Sequence, residues 1–316
     1  MRAFRRYVST MALRYETLDV FTNVPCGGNP LAVVYGAEDL SDASLQKIAR
    51  EFNYSETTFV LPPEDASATA RVRIFTPTSE LPFAGHPTIG TACALGWRGA
   101  IFGRDVGDVV VLEEQSGLVP VRRDGDWWQL EAPLPFKFGN IGEGVSPADC
   151  ALCLGIDVSD IVRGSEGRLV SLGGAPPYAI VELRDAAALA RCTPNAEALA
   201  RCGKMYAWVR EPAPRDGEPE IRTRMFNAKG IEDPATGNAS CCLMGLIATL
   251  GANTGNPPDH YRASTFTRLI SQGVEMGRPS LLLGECEQAG RYPKAARVSG
   301  QCVPMMSGEL RREHFS

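Results

Sequence analysis

Glu56 is the one carboxylate in a segment whose other side chains are uncharged. Residues 54–60 read Tyr-Ser-Glu-Thr-Thr-Phe-Val, a pattern typical of a strand that is entered through a polar turn. Moving a proton between two carbon atoms requires a group that takes the proton and returns it near neutral pH, and a buried glutamate can do this. Glu56 is therefore the first candidate for acid/base chemistry.

His86 and Asp233 are two further candidates, and each has a structural explanation beside the chemical one. His86 is predicted at the start of a helix, whose dipole would hold the imidazole neutral as a hydrogen-bond partner. Asp233 could bind a substrate amine or position Glu56. Alternatively, His86 only begins a helix, and Asp233 is a carboxylate that the helix dipole favours.

One sequence pattern surrounds both of these candidates. Residues 80–86 read Glu-Leu-Pro-Phe-Ala-Gly-His and residues 232–238 read Glu-Asp-Pro-Ala-Thr-Gly-Asn, so both fit E-x-P-x-x-G-[HN]. Arg-apolar-Phe precedes each copy and an apolar run of small residues follows it, which predicts a strand, a glycine turn and a buried helix. The two helices are predicted to begin near Pro87 and near Ala239. Chance similarity of two Pro/Gly turns is the competing interpretation, but the matching flanks favour duplication.

Two helix starts can together bind one anion, because each carries a partial positive charge and free backbone N–H groups. Gly85 and Gly237 lie where these helices are predicted to begin, and glycine lets a ligand come close to the backbone. The sequence therefore predicts two related halves that share one site for a small anion.

Hydrophobic periodicity predicts the elements that must position these residues. A β-hairpin is predicted from Tyr15–Phe21 and Leu31–Tyr35, and a helix from Ser41 to Phe52 with Ser41 as its N-cap. Further strands are predicted at 71–75, 109–112, 118–122, 127–130, 168–172, 178–183, 205–209, 221–226, 281–286 and, as the last strand, 298–303. Further helices are predicted at 148–154, 186–190 and 196–200.

The length of 316 residues fits two domains. The step Pro133-Leu134-Pro135 is typical of a linker, and it divides the chain into a first domain of residues 14–133 and a second of residues 134–310. The last strand could pair with the first domain. Residues 311–316 are predicted to be a frayed polar tail. Residues 1–13, which contain three arginines and no acid, are predicted to be an extension, with a mitochondrial targeting segment as the alternative.

Composition excludes several classes of function. A formal net charge of −5 leaves no basic surface for nucleic acid, and no run approaches the ~20 apolar residues of a membrane span. The chain has neither a G-x-x-x-x-G-K-[ST] nor a G-x-G-x-x-G motif, and its three histidines have no metal-ligand spacing. We therefore expect a cytoplasmic protein that acts on a small molecule without a cofactor or a metal.

Ten cysteines lie at irregular spacing, with no apolar secretory segment, and are predicted to be reduced thiols packed as small hydrophobic residues. Cys150 and Cys153 form a lone C-x-x-C, and Cys241 and Cys242 lie in the second predicted helix. Core packing is favoured over metal or redox chemistry for both pairs.

Five ordered blocks of sequence together resemble the phenazine-biosynthesis PhzF-like family of isomerases and epimerase-like proteins. The blocks are Asp19–Thr22 with Gly28–Val33, Asn53–Val60, Phe83–Gly90, Glu232–Gly237, and Gln272–Gly273 with Gly277–Ser280. The resemblance implies an α+β, diaminopimelate-epimerase-like fold, in which each of two similar domains is a β-barrel around a central helix. It also implies cofactor-independent proton transfer on a small carboxylated metabolite in the cleft between the domains.

The resemblance also implies roles for particular residues. The catalytic positions of the family fall on Glu56, His86 and Asp233, with Glu56 as the acid/base carboxylate. Contacts with the substrate are expected from Gly85, Gly237, Asn238, Asn29 and Ser55. Asn238 stands where the family commonly has serine, so the contact made there differs in chemistry, although an asparagine can still donate a hydrogen bond.

Two other functions stay open at this point. A small-anion-binding protein of the same fold could have lost turnover. An amino-acid epimerase that uses two thiols would need cysteines at positions 84 and 236, where this chain has Ala84 and Thr236, so this enzyme is disfavoured. A homodimer is a further expectation.

Overall fold

The computed structural model describes residues 13–132, 134–139, 144–163, 165–211, 215, 217–250, 263–290 and 292–315. The chain divides into two compact units, one built from residues up to Leu130 together with those from Gly300 onward, and one from Glu131–Ser299. The predictions for residues 1–12, for Pro133 and for Ser316 lie outside the described residues. Leu13, predicted to belong to the N-terminal extension, is buried and begins the first strand.

The strands are, in chain order, β1 (Leu13–Val20), β2 (Asn29–Tyr35), β3 (Glu56–Leu61), β4 (Ala70–Phe75), β5 (Glu80–Leu81), β6 (Ala100–Ile101), β7 (Arg104–Asp105), β8 (Val109–Glu114), β9 (Gly117–Asp124), β10 (Trp127–Glu131), β11 (Phe136–Phe138), β12 (Arg168–Leu172), β13 (Tyr178–Glu182), β14 (Lys204–Arg210), β15 (Ile221–Phe226), β16 (Glu232–Asp233), β17 (Ala263–Gln272), β18 (Ser280–Ala289), β19 (Tyr292–Gly300) and β20 (Cys302–Leu310). The helices are α1 (Asp42–Phe52), α2 (Gly85–Arg98), α3 (Pro147–Leu154), α4 (Ala186–Arg191), α5 (Ala196–Cys202) and α6 (Gly237–Leu250). Short 3₁₀ turns lie at Val158–Asp160 and Arg312–His314. No helix of the described ranges is long and apolar enough to span a membrane.

The first unit contains one continuous series of paired strands. Its order is β10, β9, β8, β4, β3, β2, β1, β20, with parallel pairing of β8 with β4 and of β3 with β2, and antiparallel pairing elsewhere. The two-residue strand β5 pairs with the end of β4. The chain then enters α2 directly, as the sequence pattern predicts.

The second unit repeats this arrangement strand for strand. Its order is β19, β18, β17, β15, β14, β13, β12, β11, with parallel pairing of β17 with β15 and of β14 with β13, and antiparallel pairing elsewhere. The short strand β16 pairs with the end of β15 just as β5 pairs with the end of β4. The same order and the same directions confirm the predicted duplication.

Each series of strands surrounds one apolar helix. In the first unit, α2 is buried from His86 to Leu95 and contacts β1, β2, β3, β8, β9 and β20. In the second unit, α6 contacts β12, β13 and β18 and is buried over most of its length. A helix that is apolar on all sides must be covered on all sides, so each unit is a β-barrel around a central helix.

Small residues let the strands approach these helices closely. A Cβ atom added to Gly90 of α2 would lie 2.5 Å from Leu31 Cδ2 and 2.6 Å from Val20 Cγ2. In α6, a Cβ atom on Gly245 would lie 2.3 Å from the Phe136 ring. Such contacts lie far inside van der Waals distance, which explains the small-residue runs that follow both motifs.

The two central helices begin at Gly85 and Gly237, two residues before the predicted starts near Pro87 and Ala239. Pro87 lies in the first turn of α2, where a missing backbone N–H breaks no helical hydrogen bond. The glycines therefore belong to the helices and not to the turns before them. The helix α1 agrees with its prediction, because Ser41 accepts a hydrogen bond from the Ser44 N–H and Asn53 ends the helix in the left-handed conformation.

The end of the chain differs from its prediction. The predicted last strand at 298–303 is two strands, β19 and β20, which are interrupted at Gln301, whose carbonyl oxygen accepts a hydrogen bond from the Thr22 N–H. β20 pairs with β1 as far as Leu310. The polar residues after it are anchored in the first unit, because Arg312 donates to the Gly36 carbonyl oxygen at 2.6 Å and pairs with Asp39.

Candidate active site

Glu56 is the first residue of β3, and β3 lies beside β2 in parallel register with Leu31 opposite Glu56. One carboxylate oxygen of Glu56, Oε2, lies 3.3 Å from Nδ1 of His86. The Glu56 side chain is 16% exposed, and the His86 side chain 6%. Glu56 and His86 therefore form a nearly buried pair in the first unit.

His86 is the second residue of α2, and its surroundings hold the imidazole neutral. Burial lowers the pKa of His86 to about 3, although a hydrogen bond with the Pro30 backbone acts in the opposite direction. At neutral pH the 3.3 Å contact with Glu56 is therefore one between a carboxylate and a neutral ring and not an ion pair. The second ring nitrogen, Nε2, is buried and has no hydrogen-bond partner among the described residues.

The start of α2 offers backbone N–H groups beside this pair. Ala84 is the N-cap residue, with extended backbone angles, and no described side chain caps the helix. Alanine has no oxygen that could accept a hydrogen bond from the first turn. The N–H groups of Gly85 and its neighbours can therefore donate to an anion.

Asn29, at the start of β2, and Ser55, directly before β3, contact each other in the first unit. The Ser55 hydroxyl donates to Asn29 Oδ1 at 3.3 Å, and Asn29 is fully buried at the first position of β2. The preceding residue, Gly28, has φ +60°, and a Cβ atom on it would lie 2.3 Å from the Val20 carbonyl oxygen. Only glycine fits at this position of the turn that carries Asn29.

Asp19 supports this turn, a role that the sequence did not reveal. It is nearly buried at the end of β1, and Oδ2 accepts a hydrogen bond from the Cys26 N–H at 2.8 Å. A buried carboxylate needs such donors. The signal in the sequence was the carboxylate before a Gly-Gly-Asn-Pro turn.

The glutamate that begins each motif is structural. Nε and Nη2 of Arg73 donate to the two oxygens of Glu80, both at 2.7 Å, and Arg224 pairs in the same way with Glu232 at 2.8 and 2.7 Å. Each guanidinium also lies over a phenylalanine ring, that of Phe75 or Phe226. These bidentate pairs connect each strand to the turn that follows it, which explains the Arg-x-Phe flanks.

Asp233 is held in place by Thr236 and Gln272 in the second unit. The Thr236 hydroxyl donates to Asp233 Oδ2. Gln272, which is 1% exposed, donates through Nε2 to the Asp233 carbonyl oxygen at 2.7 Å and accepts through Oε1 from the Thr236 N–H at 3.2 Å. Gln272 therefore fixes the turn that carries Asp233, a role missed in the sequence because 39 residues separate Gln272 from Asp233.

The last of the five sequence blocks continues this support. The Ser280 hydroxyl donates to the Pro234 carbonyl oxygen at 2.8 Å. Gly273 has φ +73°, and a Cβ atom on it would lie 2.7 Å from the same oxygen. The block therefore packs against the second motif turn.

Asn238 is the second residue of α6, the position equivalent to His86 in α2. Its side chain is hydrogen-bonded to Tyr178. Burial raises the pKa of Tyr178, and the hydrogen bond with Asn238 offsets only part of that rise. Oδ1 of Asn238 is buried without a hydrogen-bond partner in the described part of the chain. The structure places Asp233, Gly237 and Asn238 in the second unit, and Glu56, His86, Gly85, Asn29 and Ser55 in the first.

The cysteines differ from these residues in the chemistry that they can support. All ten are free thiols. Burial raises the pKa of Cys242 to about 12 and that of Cys93 and Cys241 well above the ordinary value, so these thiols stay protonated. Within the described ranges, no three His, Cys, Asp or Glu side chains are grouped so that they could hold a metal ion.

Comparison with known proteins agrees with the resemblance drawn from the five blocks. A family model described as PhzC-PhzF, phenazine biosynthesis-like protein, matches residues 18–308. The chain is 36% identical over 303 residues to the trans-2,3-dihydro-3-hydroxyanthranilate isomerase of Pseudomonas aeruginosa, covering 93% of this chain and 98% of that protein. It is 33% identical over 315 residues to an uncharacterized isomerase of Mesorhizobium japonicum, covering 94% and 98% of the two chains.

A solved structure from Bacillus anthracis, a phenazine biosynthesis protein of the PhzF family, is similar in fold. Its TM-score is 0.81 at 24% identity, and the match covers 96% of this chain and 100% of that chain. The diaminopimelate-epimerase-like fold that the sequence implied is therefore confirmed.

Proposed function

This chain belongs to the PhzC-PhzF family of phenazine biosynthesis-like proteins, and from that premise we propose that it is an isomerase that moves a proton on a small carboxylated metabolite, with Glu56 as the acid/base residue. The observation that carries the proposal is the nearly buried contact of Glu56 with a neutral His86 at 3.3 Å. The relatives named above as isomerases support the class of reaction.

Glu56 acts as a carboxylate that removes a proton from one carbon of the substrate and returns it to another carbon. The electron pair of the broken C–H bond moves into the substrate, and a double bond shifts when the proton returns. Nothing is oxidised or reduced in this exchange, so it requires no redox cofactor. Partial exclusion of water around Glu56 favours return of the same proton to the substrate.

His86 is proposed to position this carboxylate through Nδ1, which lies 3.3 Å from Glu56 Oε2 and carries the proton of the neutral ring. In that tautomer, Nε2 is an acceptor, and it is buried without a described partner. A hydroxyl or ammonium group of the substrate would satisfy it. This is a reason to expect a substrate that carries a donor as well as a carboxylate.

The substrate carboxylate is proposed to accept hydrogen bonds from the uncapped N–H groups at Gly85, with Asn29 and Ser55 as further polar contacts. Asp233, Gly237 and Asn238 are proposed to contact substrate as well, Asp233 by pairing with a positively charged group. The likeness of the two motif turns supports this part of the proposal. The homodimer and the cytoplasmic location stay predictions.

The first compound to test is trans-2,3-dihydro-3-hydroxyanthranilate, which the name of the Pseudomonas aeruginosa relative gives as its substrate. It carries a carboxylate, an amine and a hydroxyl on one ring, the groups for which the proposed contacts have partners. Conversion is measured in H₂O and in D₂O, because a proton that passes through Glu56 exchanges partly with solvent.

Glu56→Gln keeps the size of the side chain and removes the base. We expect turnover to fall by about 10²–10⁴-fold, while substrate binding stays within a few-fold of wild type. The matched control is Glu51→Gln on the exposed face of α1, which should leave turnover unchanged. Near-normal turnover of Glu56→Gln together with an inactive Asp233→Asn would move the role of base to Asp233.

An anion-binding protein without turnover is the second candidate, and the uncapped start of α2 favours it. It predicts that the wild-type protein binds small carboxylates but neither converts the compound nor catalyses exchange of its hydrogens with D₂O. Exchange that disappears in Glu56→Gln would exclude this candidate.

A further inference from the structure

Glu114 is a buried carboxyl group that the proposed reaction does not use. It is the last residue of β8, and its side chain is 6% exposed. Oε1 lies 2.7 Å from the Thr88 hydroxyl oxygen, and that oxygen lies 2.7 Å from the Ala84 carbonyl oxygen. The other carboxyl oxygen, Oε2, is buried and has no hydrogen-bond partner among the described residues.

Counting the protons along this chain of contacts identifies the protonation state of Glu114. A carbonyl oxygen can only accept, so the single hydroxyl proton of Thr88 is donated to Ala84. The short contact of Thr88 with Glu114 then needs its proton from the carboxyl group. A neutral carboxylic acid supplies it, and its remaining oxygen is less costly to bury than that of a carboxylate.

The electrostatic surroundings agree with this count. Burial raises the pKa of Glu114 to about 8, even if the Thr88 hydroxyl instead donates to the carboxylate, an arrangement that lowers the pKa by a smaller amount. The ionisable groups on the elements that pack against β8 are engaged elsewhere, lie near the far ends of those elements, or are neutral. They are Glu113 on β8, Arg71 and Arg73 on β4, Arg122, Arg123 and Asp124 on β9, and His86, Arg98 and the protonated thiol Cys93 on α2.

We propose that Glu114 is a positioning residue, which as a neutral acid holds the first turn of α2 through Thr88 and Ala84, and whose ionisation at alkaline pH loosens that turn. Ala84, the N-cap residue, and Thr88 bracket Gly85 and His86. The protonation of Glu114, which touches no substrate, then determines where the His86 ring lies relative to Glu56. It also determines where the neighbouring N–H groups lie. The effect on turnover rests on the proposed function; the effect on the helix does not.

Hydrogen exchange of the 85–90 backbone tests the structural part without any substrate. We expect its protection factor to fall by about tenfold in wild type as the pH rises through about 8, and to stay level in Glu114→Gln, whose amide donates to Thr88 at every pH. Glu113→Gln is the matched control, because the Glu113 carboxylate accepts from the Glu64 and Asp65 N–H groups instead, at 2.7 and 3.1 Å. It should behave as wild type.

Two variants of Thr88 keep the test informative if Glu114→Gln folds poorly. Thr88→Ser retains the hydroxyl and should retain the pH-dependent loss of protection, whereas Thr88→Val should show low protection at every pH. An unchanged midpoint in Glu114→Gln, or level protection in wild type, overturns the proposal.

Turnover of trans-2,3-dihydro-3-hydroxyanthranilate against pH completes the experiment. Wild type and Glu113→Gln should lose kcat above about pH 8. Glu114→Gln should keep, above pH 8, the kcat that it has at neutral pH. An alkaline limb with the same midpoint in Glu114→Gln overturns the link to the site. A wild type that does not convert the compound, but shows the change in protection, overturns this compound as the substrate and supports the role of Glu114 in the helix.

Discussion

The two motif turns share a framework and differ in their chemistry. Both have the bidentate arginine–glutamate pair, the short strand and the glycine at the first position of a buried helix. At the other positions, the first turn has Leu81, Ala84 and His86 where the second has Asp233, Thr236 and Asn238. The repeated arginine–glutamate pair therefore builds the turn, and the differing positions include three residues proposed to act on a substrate, His86, Asp233 and Asn238.

This difference assigns separate tasks to the two copies. The first turn is uncapped, has Leu81 at the position of Asp233 and holds a neutral imidazole against Glu56. The second turn holds its own carboxylate, Asp233, through Thr236 and Gln272. A duplicated unit can change these positions without loss of fold because the arginine–glutamate pair does not involve them.

The framework pairs give the largest expected effect on stability. Arg224→Gln should lower the free energy of unfolding by about 3 kcal/mol or more, because it leaves Glu232 buried without its partner. Arg224 also donates to the Cys192 carbonyl oxygen at 2.8 Å. Arg73→Gln should cost roughly 1–2 kcal/mol, since the side chain of Arg73 is 22% exposed against 8% for Arg224. Chemical denaturation of both variants measures the difference.

Arg201→Gln is the control for charge alone. Its partner Glu197 lies one helical turn away, and both side chains are exposed, so the loss should be within about 0.5 kcal/mol. Equal losses for the Arg224 and Arg73 variants would contradict the idea that burial makes the Arg224–Glu232 pair contribute more to the free energy of unfolding.

Much of the framework could be predicted from the sequence because it depends on local patterns. The motif with its Arg-x-Phe flank predicted strand, turn and helix twice, and the spacing of Leu45, Ile48 and Ala49 predicted α1. These signals lie within one element or its neighbours. The sequence analysis allowed the last strand to pair with the first domain, but it ended that strand at residue 303, whereas β20 continues to Leu310 through exposed residues such as Met306 and Glu309.

The support around the candidate site could be predicted much less. Gln272 contacts the Asp233 turn, and Glu114 contacts Thr88 across 26 residues of sequence. Neither residue has a neighbour in the sequence that reveals its partner. Their roles follow from burial and from the count of hydrogen-bond donors, which only a three-dimensional structure provides.

A smaller effect should distinguish the two turns in how the free energy of unfolding depends on pH. Burial lowers the pKa of His86 from 6.5 to about 3, so below pH 6.5 the unfolded chain binds a proton that the folded chain does not. The stability that His86 contributes is therefore complete above about pH 6.5 and decreases as the pH falls toward 3. At about pH 5.5, the loss should be about 1.4 kcal/mol.

His86→Asn gives the first turn the residue of the second and removes this titration. The slope of unfolding free energy between about pH 6.5 and pH 5 should become smaller in this variant, because asparagine binds no proton in either state. His314→Asn, at an exposed position near the chain end, should keep the wild-type slope. If both variants kept that slope, a different group would be responsible for the loss of stability in acid.

The smallest expected effect concerns the missing cap. Ala84→Ser places a hydroxyl at an N-cap residue whose backbone is already extended, with φ −153° and ψ 139°, so the free energy of unfolding should rise by about 0.5–1 kcal/mol. The same hydroxyl occupies an N–H group that is proposed for the substrate, so binding of a small carboxylate should weaken by a few-fold. Ser41→Ala makes the converse change in α1, where the serine accepts from the Ser44 N–H at 3.2 Å, and should cost about 1 kcal/mol without an effect on binding. Stabilisation by Ala84→Ser with unchanged carboxylate binding would mean that the N–H groups at Gly85 do not hold the anion.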